Sequence, residues 1–196
     1  MGMDQRSLTG HLLVATPLLE DPNFRRSVVF MIDDDTSEGS IGVIVNRPSD
    51  LPVSDVLAEW GGYTSSPSVM FSGGPVGAGS GLALGVPGAE SAPLGWRPLA
   101  NVAESSQVGG LGTIDLDTPP ELLGDALGRL RVFAGYAGWS AGQLGDEIEE
   151  GAWYVLSATP DDVFCDEPGG LWAQVLRRQG GELALLATFP DDPTLN

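Results

Sequence analysis

The chain of 196 residues is acidic, because 27 aspartates and glutamates face nine arginines and no lysine, and its net charge is −18. A nucleic-acid-binding protein needs a basic surface that neutralises phosphates, so this balance argues against direct DNA binding and also against contact with an anionic membrane. Apolar residues make up 42% of the chain, and this composition and length predict one globular domain over residues 1–196.

The sequence predicts a cytoplasmic protein. Residues 1–10 have no apolar stretch of the kind that a secretory signal needs, and no apolar run approaches the roughly 20 residues that span a bilayer. Cys165 is the only cysteine, which excludes an internal disulfide and fits a reducing compartment. We expect Cys165 to be a small buried apolar side chain rather than a reactive thiolate.

Apolar runs predict the strands of the N-terminal half. Ser27–Ile32 and Ile41–Val45 are apolar at nearly every residue, as in strands buried on both faces, and a polar loop over Asp33–Ser40 would join them as a hairpin with a long tip. Leu51–Trp60 has its apolar residues at helical spacing and predicts a helix. The other predicted strands are Leu12–Ala15, Val69–Phe71 and Leu82–Val86, with a glycine-rich turn over Ser72–Gly81.

Helix caps organise the predictions for the C-terminal half. Residues 87–112 are rich in glycine, proline and serine and predict a loop with one short strand, Trp96–Leu99. Thr118 and Pro119 predict the start of a helix that runs through Leu127, and Ser140 predicts the N-cap of a helix that ends at Glu149. The remaining predictions are strands over Leu130–Ala134 and Ala152–Ser157, a turn over Asp161–Phe164 capped by Thr159, a helix over Leu171–Arg178, and either a strand or a helix over Leu183–Phe189.

Strands and helices alternate along the chain, but hairpins also occur. This pattern predicts a mixed α/β (α+β) fold, in which helices pack on the faces of a mixed β-sheet. Neither an internal repeat nor a linker divides the chain, so we expect a single compact domain.

Seven sequence blocks, in this order, resemble the AlgH/YqgE family of bacterial proteins. They are G-H-L-L-V-A-T-P (10–17), D-P-N-F (21–24), I-V-N-R-P (44–48), F-S-G-G-P-V (71–76), F-A-G-Y-A-G-W-S-A-G-Q-L (133–144), E-E-G-A-W (149–153) and D-P-T-L-N (192–196). The resemblance covers nearly the whole chain and implies a compact α/β fold with a mixed sheet. Many members have a histidine in the hairpin tip, where this chain has Asp33-Asp34-Asp35, so any role that this histidine has in the family is lost here.

The resemblance implies little about activity, because the family is labelled as transcriptional regulators and has no defined catalytic residues. If the chain alters transcription, its charge predicts that it acts through a protein partner or a small ligand and not by binding DNA. We therefore favour a non-catalytic regulatory or interaction protein, without a cofactor or a metal.

Three segments supply candidate ligand-binding residues. Arg47 follows a buried strand and could hold a carboxylate or phosphate of a small anionic ligand with two nitrogens, or it could form a structural ion pair. Backbone N–H groups of the Gly135–Gly142 loop could bind an anion, although the loop lacks the lysine of a P-loop; close packing is the alternative role of its glycines. If these segments converge, the candidate residues are Asn46, Arg47, Gly73, Gly74, Tyr136, Gly138, Trp139 and Ser140.

The alternative hypothesis is a serine hydrolase, because G-W-S-A-G over 138–142 matches the nucleophile elbow between a strand and a helix. The only histidine, His11, lies near the start of the chain, whereas the hydrolase order places it last. Helix capping by Ser140 competes with this hypothesis.

Asp33-Asp34-Asp35 resembles a calcium loop, but Glu38 stands where that loop needs glycine, so we expect a solvated tip.

Overall fold

The computed structural model describes residues 7–88, 92–100, 102, 107–123 and 126–190, which form a mixed β-sheet with helices packed against it. The strands of this part of the chain are β1 (His11–Ala15), β2 (Val28–Asp35), β3 (Gly39–Ile44), β4 (Pro48–Pro52), β5 (Val69–Ser72), β6 (Val76–Pro87), β7 (Trp96–Pro98), β8 (Gly112–Ile114), β9 (Leu127–Trp139) and β10 (Trp153–Ser157). Their order is β10-β1-β2-β3-β9-β6-β8-β7, with β4 on β5 and β5 on β9. Because β5 runs parallel to β9 and the other pairs are antiparallel, the predicted mixed α/β fold is confirmed.

The α-helices of the described residues are short. They are α1 (Val53–Val56), α2 (Gln143–Glu149), α3 (Pro160–Val163), α4 (Leu171–Gln179) and α5 (Gly181–Leu186). Leu171, Trp172, Val175 and Leu176 of α4 recur at helical spacing and are buried, which packs this helix on the sheet, and Gly180 ends it with a positive φ of 73°. None of the helices in the described ranges is long and apolar enough to cross a bilayer.

Helices cover both faces of the sheet near β1, which explains why this strand is apolar from Leu12 to Ala15. Leu12 and Val14 pack into the cluster that includes α4, whereas Leu13 and Ala15 pack into a second cluster that includes Leu144 of α2. Successive side chains of a strand point to opposite faces, so a strand covered on both sides needs apolar residues throughout.

Strand β9 joins the two parts of the sheet. Its C-terminal residues pair with β3, as Ala137 does with Gly42, while Phe133 pairs with β5 on one side and with β6 on the other. The strand runs through Trp139, so the predicted loop over Gly135–Gly142 is wrong as far as that residue. This central position brings the candidate segments together.

Sheet pairing overrides several predictions made from local patterns. The hairpin between β2 and β3 has a tip of only residues 36–38, because the aspartates before it still pair with β3. Residues 48–52 form a strand against β5, so the predicted helix Leu51–Trp60 is reduced to α1 and a 3₁₀ turn over Ala58–Tyr63. The predicted strand Trp96–Leu99 is confirmed as β7. Its partner β8, which begins at the last residue of the predicted loop 87–112, was not predicted.

Two predicted helix starts are wrong, and one uncertain segment is settled. The helix predicted from Thr118 to Leu127 is, in its described residues, a 3₁₀ turn over Pro120–Leu122, and Leu127 instead pairs with Pro87 in the sheet. Helix α2 begins at Gln143 behind Gly142, so Ser140 precedes the N-cap position. The segment that fitted a strand or a helix, Leu183–Phe189, overlaps the C-terminal part of α5, while the D-P-T-L-N block lies outside the described residues.

Candidate functional site

The three candidate segments meet along β9 through their backbones. The amide of Ile44 donates to the carbonyl of Gly73 at 2.8 Å, and the amide of Gly73 donates to the carbonyl of Ala134 at 2.9 Å. The amide of Ser72 donates to the carbonyl of Arg47 at 2.9 Å. The convergence on which the predicted site depended is therefore present, as neighbouring strand segments.

The glycines of these segments lie where the chain crosses over β9. Residues 71–72 pair with one side of β9 and Val76 pairs with the other, so residues 73–75 pass over the strand between them. A Cβ on Gly73 would lie 2.2 Å from the carbonyl oxygen of Gly135, and a Cβ on Gly74 would lie 2.2 Å from the carbonyl carbon of Tyr136. No side chain fits at Gly73 or Gly74, so packing accounts for the two glycines of the G-G-P block.

Asn46 and Arg47 hold the loop that contains the D-P-N-F block. The side-chain amide of Asn46 donates to the carbonyl of Arg26 at 2.9 Å and accepts from the backbone amide of Val28 at 2.8 Å. These bonds stabilise the backbone at Arg26, which has a positive φ of 54°. The Arg47 guanidinium donates to the carbonyls of Asn23 and Arg25. Both terminal nitrogens of Arg47 thus already have backbone acceptors, which leaves an anionic ligand with fewer donors.

Burial and a nearby carboxylate act in opposite directions on the pKa of Arg47. Loss of solvent lowers the pKa of its guanidinium, and the nearby Asp21 carboxylate opposes that change. The group stays charged at neutral pH, because an arginine pKa begins far above 7.

Trp139 points into the core, and the Glu147 carboxylate is its partner. One oxygen of Glu147 accepts from the indole N–H of Trp139 at 2.9 Å and from that of Trp153 at 2.8 Å. The other oxygen accepts from Gln143 at 2.9 Å, whose amide oxygen in turn lies 3.1 Å from the Ser140 hydroxyl. Trp139 and Trp153 are only 5% and 4% exposed, so this chain of hydrogen bonds satisfies buried donors.

The register of the sheet separates Ser140 from His11. His11 begins β1, whereas Ser140 follows β9, and β2 and β3 lie between these strands. Three strand spacings of about 4.8 Å put the two residues roughly 14 Å or more apart, beyond the reach of a hydrogen bond. The Nδ1 atom of His11 is buried without a hydrogen-bond partner among the described residues. The structure thus offers Ser140 no imidazole as a general base.

The acidic hairpin tip is organised by its own hydrogen bonds. Asp35 accepts from the hydroxyl of Ser37 at 2.6 Å and from its amide at 2.8 Å, and these bonds lower the pKa of the Asp35 carboxyl. Asp34 accepts from Ser40 at 2.6 Å and from the amide of Leu8 at 2.7 Å. Over the described ranges, no group of three histidine, cysteine or acidic residues is arranged to hold a metal ion.

A groove of about 650 Å³ lies beside the crossing, and the sequence analysis missed it. We call it the β5 groove; its walls come from residues within 49–57, 70–72, 78–81 and 116–117, together with Ala134. Leu51, Val56, Leu57, Met70 and Leu116 make most of the lining apolar. Serine hydroxyls and one carboxylate complete it, which is the mixture of apolar walls and few polar groups that ligand sites show.

One wall of the β5 groove is an irregular stretch of β6. Val76 pairs with Tyr136 and Gly81 pairs with Ala134, so residues 77–80 face the single residue Gly135. A bulge of this kind leaves residues without a partner in the ladder, and bulges commonly lie beside functional sites. The glycine-rich segment over Ser72–Gly81, predicted only as a turn, therefore carries both the crossing and a groove wall.

A buried arginine lies behind the groove. The Arg131 side chain is about 1% exposed, and its guanidinium carbon lies 4.2 Å from the ring centroid of Phe71, a groove residue. Its nitrogens donate to the carbonyls of Val163, Cys165 and Ser66, while Nε has no partner among the described residues. Burial lowers the pKa of Arg131 to about 10.

The position of Leu51 and Val56 explains why sequence reasoning missed the groove. The helical spacing of Leu51–Trp60 placed Val53, Val56, Leu57 and Trp60 on one side of a helix, and Val53 and Trp60 are indeed buried. Leu51 and Val56 are 46% and 50% exposed, because β4 and a single helical turn replace a continuous helix.

Comparison with known proteins gives consistent results. The model of the AlgH-like family matches residues 12–184. A UPF0301 protein of Thermobifida fusca is 68% identical over 99% of this chain and 98% of its own length, and a UPF0301 protein of Mycobacterium leprae is 44% identical over 98% and 92%. A crystal structure from Corynebacterium diphtheriae, at 32% identity, has a TM-score of 0.83 over 96% of this chain and 95% of its own. The solution structure of the AlgH protein from Pseudomonas aeruginosa, at 26% identity, has a TM-score of 0.68 over 98% and 99%.

Proposed function

The chain belongs to the AlgH-like family, and from that premise we propose that it is a non-catalytic binding protein whose β5 groove receives an apolar group of a partner. The observation that carries the proposal is the groove itself, open to solvent and lined by Leu51, Val56 and Leu116. Exposed apolar surface next to a concave site marks a place of interaction on a soluble protein.

A protein partner fits this chain better than a small anion does. The described lining of the β5 groove contains no arginine or histidine, and its only charged residue is Asp117. The guanidinium of Arg47 is engaged by backbone carbonyls, so the anionic ligand takes second place in the proposal. Regulation of transcription would then proceed through a partner in the cytoplasm, since a net charge of −18 opposes direct contact with DNA.

The proposal is tested with Nile red, a neutral dye that fluoresces in apolar sites. We expect the dye to bind the wild-type protein and to bind Val56→Arg much more weakly, because Val56 lines the groove and is 50% exposed. Leu18→Arg is the matched control, since Leu18 is 79% exposed and lies outside the groove lining.

Both variants add one positive charge at an exposed apolar residue, so charge and loss of surface apolarity are balanced. Urea unfolding of the two variants verifies that the fold is unchanged. If the dye fails to bind the wild type, or binds Val56→Arg as well as Leu18→Arg, the groove is not the binding site.

A further inference from the structure

We infer that the occupant of the β5 groove is an extended, apolar segment of a partner protein that is flanked by basic residues. This inference rests on the proposed binding function and adds the chemistry of the partner. Two features carry it: the charges around the groove and the unmatched backbone of one wall.

The exposed charged side chains of the segments that line the groove are all acidic, whereas Arg131 is buried behind it. From residue 48 to residue 96 the sequence contains no arginine, lysine or histidine, and this stretch supplies most of the lining. Asp50 and Asp55 are exposed and stand next to lining residues in the chain, and Asp117 belongs to the lining. An apolar site whose lining segments expose carboxylates and no basic side chain attracts cations and repels anions. Basic flanks on the occupant supply the complementary charge.

The backbone of the groove wall favours a polypeptide over a small amphipathic molecule. Residues 77–80 of β6 have no ladder partner in β9, and Ala78, Gly79 and Ser80 line the groove. A Cβ on Gly79 would have no atom within 4 Å, so the backbone there is open to approach. An extended segment can pair its peptide groups with such a strand while its apolar side chains enter the groove.

The test uses fluorescence anisotropy with three labelled peptides that share one length. The first has an aliphatic core between pairs of arginines, the second has the same core between pairs of glutamates, and the third has a glycine-serine core between arginines. We expect the first peptide to bind at least about tenfold more tightly than either of the others. Added salt should weaken the first and strengthen the second, because it screens attraction and repulsion alike.

Variants of the protein locate the interaction. Val56→Arg should abolish binding of the first peptide, whereas Leu18→Arg should preserve it. Asp117→Asn should weaken that binding by roughly two- to fivefold, the effect of one partly exposed charge, while Glu182→Gln, which removes an exposed acid on α5, should leave it unchanged.

The outcomes separate this inference from the proposed function. If the groove binds Nile red but prefers the glutamate-flanked peptide or ignores the flanks, the binding function stands and the basic partner is excluded. If the glycine-serine peptide binds as tightly as the aliphatic one, the contact is non-specific charge attraction and the inference falls. If neither dye nor peptide binds, both fall together.

Discussion

At the residue scale, the shared sequence blocks of this chain owe their composition mainly to backbone packing. Gly73 and Gly74 allow one segment to lie directly on the backbone of β9, and Gly135 has a positive φ of 72° beneath them. The side chains of Asn46 and Arg47 form hydrogen bonds with carbonyls and an amide of a neighbouring loop. A motif rich in glycine, asparagine and arginine can therefore be structural although its composition suggests a ligand site.

Replacing Gly74 tests the packing role of the crossing. Gly74→Ala should lower the free energy of unfolding by about 3 kcal/mol or more, since the new methyl group would overlap backbone atoms that cannot move aside. Gly79→Ala is the control, because open space surrounds that position, and it should be neutral or stabilising by up to about 1 kcal/mol. Urea unfolding measures both. Equal stability of the two variants would contradict the crossing.

Arg131 is the second residue whose environment makes a sharp prediction. Arg131→Met should destabilise the protein by roughly 2–4 kcal/mol, because three backbone carbonyls lose the buried guanidinium that donates to them. Arg129→Met is the control on the same strand. Its guanidinium is 45% exposed and pairs with an exposed aspartate, so the loss should stay below about 1 kcal/mol.

The pH dependence of the Arg131 effect follows from the lowered pKa. The folded pKa of about 10 lies below the ordinary value of an arginine, so between these values the unfolded chain holds more protons and stability rises with pH as the burial penalty disappears. Below about pH 9 both states are charged, and the difference between wild type and Arg131→Met should be constant. Unfolding experiments from about pH 6 to about pH 9 measure it. A slope in that window would place the pKa elsewhere.

At the scale of elements, α3 and α4 are fastened to each other by one buried carboxylate. Asp162 is 3% exposed and accepts from the amide and hydroxyl of Thr159, forming the capping box of α3. It also accepts two bonds from Arg178 of α4, at 2.8 and 3.0 Å, and this pairing raises the pKa of Arg178. The preceding residue, Asp161, pairs with Arg129 at the surface, and the Asp161 side chain is 80% exposed.

These neighbouring aspartates provide a matched pair of substitutions. Asp162→Asn should lower the free energy of unfolding by about 2–4 kcal/mol, because it leaves a half-buried guanidinium without its carboxylate. Asp161→Asn should change it by less than about 1 kcal/mol, as is usual for exposed ion pairs. Thermal and urea unfolding of the two variants check the difference. Similar losses at both positions would mean that burial of the pair is unimportant.

At the scale of the whole molecule, the charge is the dominant property. A net charge of −18 creates a field that repels polyanions and attracts basic surfaces at long range, and salt screens both effects. This field would oppose binding of DNA, and it would increase the rate at which the proposed basic partner meets the groove.

We expect no complex with duplex DNA in a mobility-shift assay, even at low salt where electrostatic attraction is strongest. The nine arginines are dispersed among 27 acids, and at least five of them already bind groups of the protein: Arg26, Arg47, Arg129, Arg131 and Arg178. A shifted band that disappears with added salt would reveal an arginine surface and overturn the proposed indirect route to transcription.

The sequence predicted strands well where burial on both faces dictates the composition. Val43 and its neighbours in β3 and Leu12 in β1 are apolar whichever face they meet, and both strands are where the pattern placed them. Prediction failed where a distant strand decides the conformation. Leu127 and Pro48 belong to strands because they pair with Pro87 and Phe71, and a window of local sequence contains neither partner.

The sequence motifs named the backbone segments of the candidate site, but they did not reveal the groove beside those segments. The motifs identified residues that do converge along β9, but their side chains point to hydrogen-bond partners and the core. The groove depends on the exposed sides of Leu51 and Val56, which are set by a strand and a single helical turn. Short-range periodicity cannot distinguish that arrangement from a buried helix.

The crossing over β9 also constrains the order of assembly during synthesis. The ribosome releases residues 73–76 well before residues 127–139, so the covering segment emerges earlier than the strand that it covers. Until β9 arrives, β3, β5 and β6 lack their common neighbour and keep unpaired edges, which are prone to self-association. A nascent chain of this protein therefore completes its sheet only late in translation. We expect a product that stops short of β9 to expose unpaired strand edges and to need a chaperone to stay unaggregated.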